Sequence, residues 1–312
     1  MRLIFMGSPE AVIAPLQSLI ESPHEVIAVI SQPARPVGRK GILTDPPIAQ
    51  FSKENGIKCL QPESAGASDF LIELEDLSPD IIITAAYGQI LTEDFLKIPS
   101  RATINIHPSL LPHYRGATPV PACLLDGLDK TAVSILFTVK KLDAGNIIVQ
   151  EIFDIKSDET SGDLTGRLFG ESGALTLKAI DLLSDTSYTG AVQNGDDVTF
   201  CKKIKKQDGL IDWEAAADTI VNRFRAFQPW PGSFTFCNGK RIAITKLGYS
   251  SINGMSSGQV NYDKENKSLI VGTGNGSISI LKLKPAGGKE VEAGSFWNGM
   301  KDKDDVEFNN QQ

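Results

Sequence analysis

The feature that most limits the possible folds is an alternation of β-branched runs with amphipathic stretches over roughly the first 180 residues. Short apolar runs bounded by turn residues are typical of buried strands, and the stretches between them have helical periodicity. This alternation indicates an α/β domain in which helices flank a mostly parallel sheet. Strands are predicted at Leu3–Met6, Glu25–Ser31, Asp80–Ala86, Thr103–His107, Ala132–Thr138 and Ile147–Phe153.

Two helix starts carry recognisable signals. Ser8 is predicted to cap the first helix, with Pro9 at the first helical position, where its missing N–H costs nothing. A second helix is predicted to begin at Thr160–Asp163, ahead of a long amphipathic stretch.

The pattern changes near residue 184. Ser184–Cys201 is polar, rich in turn residues and without helical periodicity, which is typical of a linker. A helix is predicted near Ala215–Phe227, and the remaining strands are short and separated by glycine turns, as in a small barrel or sandwich. These strands are predicted at Ser233–Cys237, Arg241–Leu247, Ser268–Thr273 and Ser277–Leu283. We therefore predict a domain over residues 1–184, a linker over 185–204 and a second domain over 205–312.

Charge is unevenly divided along the chain. The net charge is −7, but residues 1–201 carry −11 and residues 202–312 carry +4. A polyanionic partner would bind preferentially to the second part. The alternative is that the difference reflects only solvated surface charge, which varies by this much between the domains of many proteins.

The sequence lacks the features that usually indicate a membrane-spanning, secreted, disulfide-rich, metal-binding, dinucleotide-binding or P-loop protein. No apolar run is long enough to span a membrane, and the N-terminal run is too short for a signal peptide. The four cysteines lie far apart without a C-x-x-C pair, which favours a reducing cytoplasm and predicts neither a disulfide framework nor a zinc site. No other cluster has metal-ligand spacing, and the glycine patterns of dinucleotide and P-loop sites do not occur.

The stretch "NIHPSLLP" is the strongest candidate for chemistry. Asn105 and His107 lie two residues apart on a predicted strand, so their side chains share one face at the strand's end. Ligands of open α/β sheets bind at that edge, and an amide beside an imidazole can stabilise an oxyanion in acyl transfer. The alternative is a polar pair that only faces solvent.

Asp143 is a candidate carboxylate for the same site. It lies in the turn "LDAG" between two predicted strands, where it could orient His107 and assist proton transfer. The alternative is an ordinary β-turn aspartate.

Asn-x-His, Ser-Leu-Leu-Pro and a Leu-Asp-x-Gly some thirty residues later resemble the folate-dependent formyltransferases. Further segments resemble this family in the expected order along nearly the whole chain. They are "SQPARPVGRKG" (Ser31–Gly41), "AAYGQIL" (Ala85–Leu91), "YRGATPVPACLLDG" (Tyr114–Gly127), "ETSGDL" (Glu159–Leu164), "IDW" (Ile211–Trp213) and "RAFQPWPGSFTF" (Arg225–Phe236).

The resemblance implies a Rossmann-like domain with helices on both faces of its sheet, followed by a smaller OB-like β-barrel. It implies transfer of a formyl group from 10-formyltetrahydrofolate, without a metal, to the α-amino group of initiator methionyl-tRNA by a cytoplasmic, bacterial, monomeric enzyme. Asn105, His107 and Asp143 would be its catalytic set. The folate pocket would be lined, largely through backbone groups, by Tyr87, Gly88, Gln89, Ile90, Leu91, Ser109, Leu110, Leu111 and Pro112.

Two basic groups are candidates for tRNA contact. The resemblance implies that Gln32–Pro47 is a loop directed at the acceptor stem, and its cations stand among prolines that stiffen it. A second group of lysines precedes the predicted helix of the second domain, where a charge run is more often a solvated face. The candidates are Arg35, Arg39, Lys40, Lys202, Lys203, Lys205 and Lys206.

Three alternatives remain open. Pro108 is more typical of the family member that formylates glycinamide ribonucleotide, although that enzyme is shorter and lacks the barrel. Formyltransferases of the same fold that act on sugar amines are a second alternative. From another class, the chain could be a non-catalytic RNA-binding relative.

Overall fold

The computed structural model describes residues 1–38, 40–301, 303 and 306–310. It divides into two compact units. The first consists of Met1–Val120, Asp129–Ile155 and Asp163–Lys202, and the second of Pro121–Leu128, Lys156–Gly162 and Lys203–Gln312. The boundaries predicted from the sequence, 1–184 and 205–312, stay a prediction.

In the part of the chain that the structure describes, the first unit contains nine strands. They are β1 (Arg2–Gly7), β2 (Glu25–Ile30), β3 (Arg35–Val37), β4 (Ile42–Thr44), β5 (Cys59–Leu60), β6 (Ile81–Ala85), β7 (Ala102–His107), β8 (Lys130–Phe137) and β9 (Ile147–Asp154). Seven of them form one sheet in the order β5-β2-β1-β6-β7-β8-β9, and β3 and β4 form a separate hairpin. The first five strands of that order run parallel, whereas β8 and β9 each run antiparallel to the strand before them. The predicted mostly parallel sheet is confirmed.

The sheet is covered by helices because its central strands are apolar on both faces. Side chains on both faces of β1 are fully buried. On one face, Ile4 and Met6 pack in a cluster with Phe70 and Phe95. On the other face, Leu3 and Phe5 are buried. The helices are α1 (Ile13–Ile20), α2 (Pro47–Glu54), α3 (Ser68–Asp76), α4 (Glu93–Leu96), α5 (Pro119–Leu125) and α6 (Ser161–Leu182).

One predicted helix start is wrong and the other is confirmed. Pro9 is extended, a 3₁₀ turn occupies Glu10–Val12, and α1 begins only at Ile13. The Ser8 hydroxyl does not cap this helix, because it accepts a hydrogen bond from the Gln32 N–H at 3.2 Å instead. α6 begins at Ser161, as predicted.

Among the described residues, the second unit contains most of α5, two further helices and six strands. These further elements are α7 (Ala217–Ala226), β10 (Ser233–Cys237), β11 (Lys240–Tyr249), β12 (Val260–Asp263), β13 (Ser268–Gly272), β14 (Ser277–Pro285), β15 (Val291–Glu292) and α8 (Ala293–Gly299). The antiparallel sheet has the order β10-β11-β14-β13-β12, with β15 on β14. All four strands predicted for this domain are present, while β12, β15 and α8 have no counterpart among the predicted elements.

The C-terminal residues connect the two edges of this sheet. Asn309 exchanges two backbone hydrogen bonds with Phe236 of β10, and Val260 of β12 donates its N–H to Val306. Glu307 forms a bridge with Gln259, next to β12. Residues 306–309 therefore lie between the first and last strands of the order, as expected for the predicted barrel. No helix of the described residues is long and apolar enough to cross a membrane.

Candidate active site

Asn105 and His107 end β7 side by side, as the alternation along the strand predicts. Asn105 pairs in register with Thr84 of the parallel strand β6, so the two carboxyl ends meet at one sheet edge. The Thr84 hydroxyl lies 2.9 Å from Asn105 Oδ1. Asn105 Nδ2 lies 3.4 Å from Asp143 Oδ1. Because a carboxylate only accepts, the amide nitrogen must face Asp143 and the amide oxygen must face Thr84.

Asp143 lies in the turn between β8 and β9 and reaches the same edge. Its Oδ2 accepts the Gly116 N–H at 2.8 Å and lies 3.7 Å from His107 Nδ1. The Asp143 side chain is only 12% exposed, so these contacts are poorly screened by water. The structure thus brings together the three predicted catalytic residues, whose roles stay a prediction.

Two turns enclose the imidazole ring of His107. Nε2 lies 3.1 Å from the carbonyl oxygen of Tyr114, and Nδ1 faces the Asp143 carboxylate. Both neighbours are acceptors, but only the Tyr114 carbonyl lies within hydrogen-bond distance of the ring, whereas the Asp143 carboxylate faces Nδ1 as an electrostatic contact. His107 is 4% exposed and is therefore fixed between these groups.

The loop Tyr87–Leu91 follows β6 at the carboxyl edge. Ala86 and Gly88 adopt positive φ angles of 46° and 88°, which turn the chain sharply over the edge. The Tyr87 side chain packs in the hydrophobic core, and burial raises its pKa to about 12. Gln89 Oε1 accepts the Ala65 N–H at 2.8 Å, and Ile90 is 88% exposed. Within the described chain, no backbone acceptor bonds the N–H groups from Gly88 to Leu91, which leaves them available to a ligand.

The loop Ser109–Pro112 follows β7 beside it and is held by a buried polar network. Ser134 of β8 donates its hydroxyl to the Ser109 carbonyl at 2.6 Å. Gln150 of β9 donates to the Ser134 hydroxyl at 2.7 Å and to the Leu111 carbonyl at 3.2 Å. Leu111 is buried and Leu110 and Pro112 are partly buried, so this loop forms a fixed wall.

The predicted tRNA-contact residues are surface groups. Arg35 lies on β3, where it forms an exposed ion pair with Glu63 at 3.3 Å. Lys40 lies in the turn between β3 and β4, and Arg39 lies outside the described residues. The lysines at positions 202, 203, 205 and 206 are all exposed. Exposure permits phosphate contact and also fits an ordinary solvated face.

Several neighbours of the site carry no signal in the sequence. Gly116 and Tyr114 belong to the quoted "YRG" segment, but nothing in that segment indicates contact with Asp143 or His107. Gln193 lies in the predicted linker, yet its Nε2 is 2.9 Å from the Asp143 carbonyl oxygen. In the described part of the chain, no group of three or more His, Cys, Asp or Glu residues could hold a metal ion.

Comparisons with known proteins agree over both units. The family model described as formyl transferase matches residues 1–180, and that of the formyl transferase C-terminal domain matches residues 203–301. The methionyl-tRNA formyltransferase of Herpetosiphon aurantiacus is 34% identical over 303 residues, which are 97% of this chain and 99% of that protein.

Two solved structures share the fold at low sequence identity. HypX from Aquifex aeolicus in complex with tetrahydrofolic acid has a TM-score of 0.65 and 17% identity, over 100% of this chain and 51% of HypX. WlaRD, a sugar 3N-formyl transferase crystallised with dTDP and 5-N-formyl-THF, has a TM-score of 0.67 and 19% identity, over 90% of this chain and 97% of WlaRD.

Proposed function

The chain belongs to the formyl transferase family, and from this premise we propose that it transfers a formyl group from 10-formyltetrahydrofolate to the α-amino group of methionyl-tRNA. The observation that carries the proposal is the convergence of Asn105, His107 and Asp143 at one sheet edge. A relative that aligns with nearly the whole chain and is named for this reaction supports the choice of acceptor.

The site fits the chemistry of acyl transfer. The neutral amine adds to the formyl carbon, and negative charge develops on the formyl oxygen. Asn105 Nδ2 has two hydrogens, of which one faces Asp143 and the other can donate to this oxygen. His107, protonated or hydrogen-bonding, helps to stabilise this charge in a site that excludes most water.

Asp143 is suited to move the proton. The added amine must lose a proton, and the folate nitrogen must gain one before its bond to carbon breaks. The Asp143 carboxylate lies beside both other catalytic side chains, accepts the proton from the amine, directly or through one water, and passes it on to the leaving folate nitrogen. The formyl carbon thus gains a bond to the methionyl nitrogen and loses the bond to the folate nitrogen.

The folate donor fits the two loops at the edge. The N–H groups from Gly88 to Leu91, which have no backbone acceptor among the described residues, could donate to a polar heteroaromatic ring, and the loop Ser109–Pro112 supplies an apolar wall. The 10-formyl form, a reaction without a metal, a monomer and a cytoplasmic bacterial location belong to the same proposal.

A formylation assay tests the proposal. The protein is given a radiolabelled formyl donor with Met-tRNA, and separately with glycinamide ribonucleotide or an amino-sugar nucleotide. We expect label on Met-tRNA alone. Label on a small amine would assign the chain to another branch of the family, and label on no acceptor would favour a non-catalytic RNA-binding relative.

A further inference from the structure

We propose that Gln193 is a positioning residue for Asp143, acting by joining the Asp143 turn to the turn that contains Arg115. The inference rests on the proposed function, because it assigns Gln193 a role in the same formyl transfer. Gln193 lies in the segment whose sequence predicts a linker.

The Gln193 side chain makes four hydrogen bonds to two turns. Nε2 donates to the carbonyl oxygens of Asp143 and Gly145, at 2.9 and 2.7 Å. Oε1 accepts from Arg115 Nε and from a terminal Arg115 nitrogen, at 3.1 and 2.7 Å. The Gln193 side-chain amide thus donates both of its hydrogens and accepts two hydrogen bonds on its oxygen.

Only one orientation of this amide satisfies its neighbours. The two carbonyl oxygens can only accept and the guanidinium can only donate. If the amide were flipped, its oxygen would face the carbonyl oxygens and its N–H groups would face the guanidinium N–H groups. Arg115 is 4% exposed, and its charge polarises the amide and strengthens the two bonds to the Asp143 turn. The residue type at position 193 therefore needs both an acceptor and two hydrogens.

The two turns that Gln193 joins are the two that enclose the His107 ring, and one of them contains Asp143. Asp143 has a φ of 45°, a left-handed conformation that a non-glycine residue adopts only when its surroundings hold it there. On either side of Arg115 in sequence stand the Tyr114 carbonyl, which contacts His107, and the Gly116 N–H, which contacts Asp143. Gln193 therefore sets the position of the Asp143 carboxylate relative to His107.

The backbone around Gln193 is anchored without its side chain. Ala191 exchanges two hydrogen bonds with Ile147, at 2.7 and 2.8 Å. Arg115 donates its N–H to Thr199 and accepts that of Cys201, both at 2.9 Å. A change of the Gln193 side chain should accordingly leave the fold in place and alter the geometry of the site.

The test uses two substitutions of the full chain and one control. Gln193→Ala removes all four bonds, and Gln193→Glu keeps the acceptor for Arg115 but loses both donors. Asn194→Ala is the control, since that side chain bonds Asp196 and Asp197 and no group of the site. We expect both Gln193 variants to lower kcat by about tenfold to a hundredfold, with KM for the folate donor close to that of Asn194→Ala. Gln193→Ala should also lower Tm, because the buried Arg115 guanidinium loses two hydrogen bonds, whereas Gln193→Glu keeps that acceptor.

A double-mutant cycle separates positioning from general stability. If Gln193 acts through Asp143, Gln193→Ala should lower kcat by less than about twofold when Asp143→Asn is already present. The same loss in both backgrounds, wild-type kcat in Gln193→Ala, or full activity in Gln193→Glu would overturn the inference.

A spectroscopic measurement keeps the inference distinct from the proposed function. The chain has three histidines, so the imidazole nitrogen signals of His107 can be assigned by NMR. We expect Gln193→Ala to move them toward their positions in Asp143→Asn, and Asn194→Ala to leave them unchanged. If the wild-type protein transfers no formyl group while these shifts occur, the function is wrong and the positioning role stands. Unmoved His107 signals would refute the positioning role.

Discussion

Asp143 adopts a left-handed backbone conformation, and its carboxylate receives contacts from two elements at once. Oδ1 faces Asn105 of β7, and Oδ2 accepts the N–H of Gly116. At the residue scale the site is therefore a set of interdependent contacts, in which each of the proposed catalytic side chains is oriented by another.

The first prediction concerns the three side chains themselves. Asn105→Ala, His107→Ala and Asp143→Asn should each lower kcat for Met-tRNA formylation by about a hundredfold or more, as expected for oxyanion donors and proton-transfer groups. Steady-state kinetics of single and double mutants measure this. Because the residues act as one unit, a double mutant that loses the full product of the single losses would argue against a shared site.

The second prediction concerns the glycine of the Asp143 turn. A Cβ on Gly145 would lie 1.8 Å from the backbone carbonyl oxygen of Phe137, a clash that no side-chain rotation can relieve. Gly145→Ala should displace the turn, lower kcat by at least about tenfold and lower Tm. Gly195→Ala is the control, because nothing lies within 4 Å of the added Cβ. Equal kinetics in the two variants would show that the turn tolerates the displacement.

At the scale of elements, α6 packs its Gly173 closely against α1. An added Cβ at Gly173 would lie 2.7 Å from Ser18 Cβ, whereas nothing lies within 4 Å of one at Gly170. Gly170 and Gly173, two of the glycines of α6, therefore stand in different surroundings, and substitution can separate their roles.

The third prediction compares these two glycines. Gly170→Ala should raise the free energy of unfolding by up to about 1 kcal/mol, because alanine has the higher helix propensity. Gly173→Ala should lower it by about 1–3 kcal/mol, because the methyl group overpacks the contact with α1. Denaturant unfolding of both variants decides the sign of each effect. Stabilisation by Gly173→Ala would mean that α1 can move aside.

The fourth prediction concerns the segment that connects the edges of the second sheet. Phe308 is 1% exposed, and its ring centroid lies 6.0 Å from that of Trp213. Phe308→Ala should cost about 3–5 kcal/mol of the stability of the second unit, as for other buried aromatic residues. Asn310→Ala, at an exposed position, is the control. Similar thermal unfolding of the two variants would mean that residues 306–309 do not hold the edges together.

At the scale of the whole molecule, an acidic chain that acts on tRNA, as we propose, would have to bind this anionic partner through local charge. The net charge is −7, and the exposed lysines at 202, 203, 205 and 206 begin the part of the chain with positive balance. Binding by such a patch should depend on salt, because each lysine that meets a phosphate releases counterions.

The fifth prediction tests that charge. Replacing the four lysines together by Gln should reduce the magnitude of the salt slope of tRNA binding, by up to about 0.9 for each phosphate that is no longer neutralised. Arg39→Ala should weaken tRNA use with little change in KM for the folate donor, and Lys264→Ala, at an exposed position, is its control. Binding titrations at several salt concentrations and kinetics with tRNA measure these effects. An unchanged slope and unchanged kinetics would assign tRNA binding to another surface.

Much of the fold and part of the site follow from local sequence patterns. Alternation along β7 places Asn105 and His107 on one face, because successive side chains of a strand point to opposite sides. β-branched runs determine most of the sheet, since such side chains fit a surface buried on both faces. The position of Asp143 in a turn between strands also follows from the sequence.

Tertiary structure alone decided the contacts that join distant segments. Gln193 lies 50 residues from Asp143, and its role depends on a hydrogen bond that no local pattern encodes. Residues 306–309 pair with β10 and next to β12 because two sheet edges are available there, although the segment has little strand signal of its own. Ser8 bonds Gln32 rather than capping α1, because β1 and β2 are neighbours in the sheet. Local propensities select the elements, whereas hydrogen-bond partners across the fold select which polar side chains meet at the site.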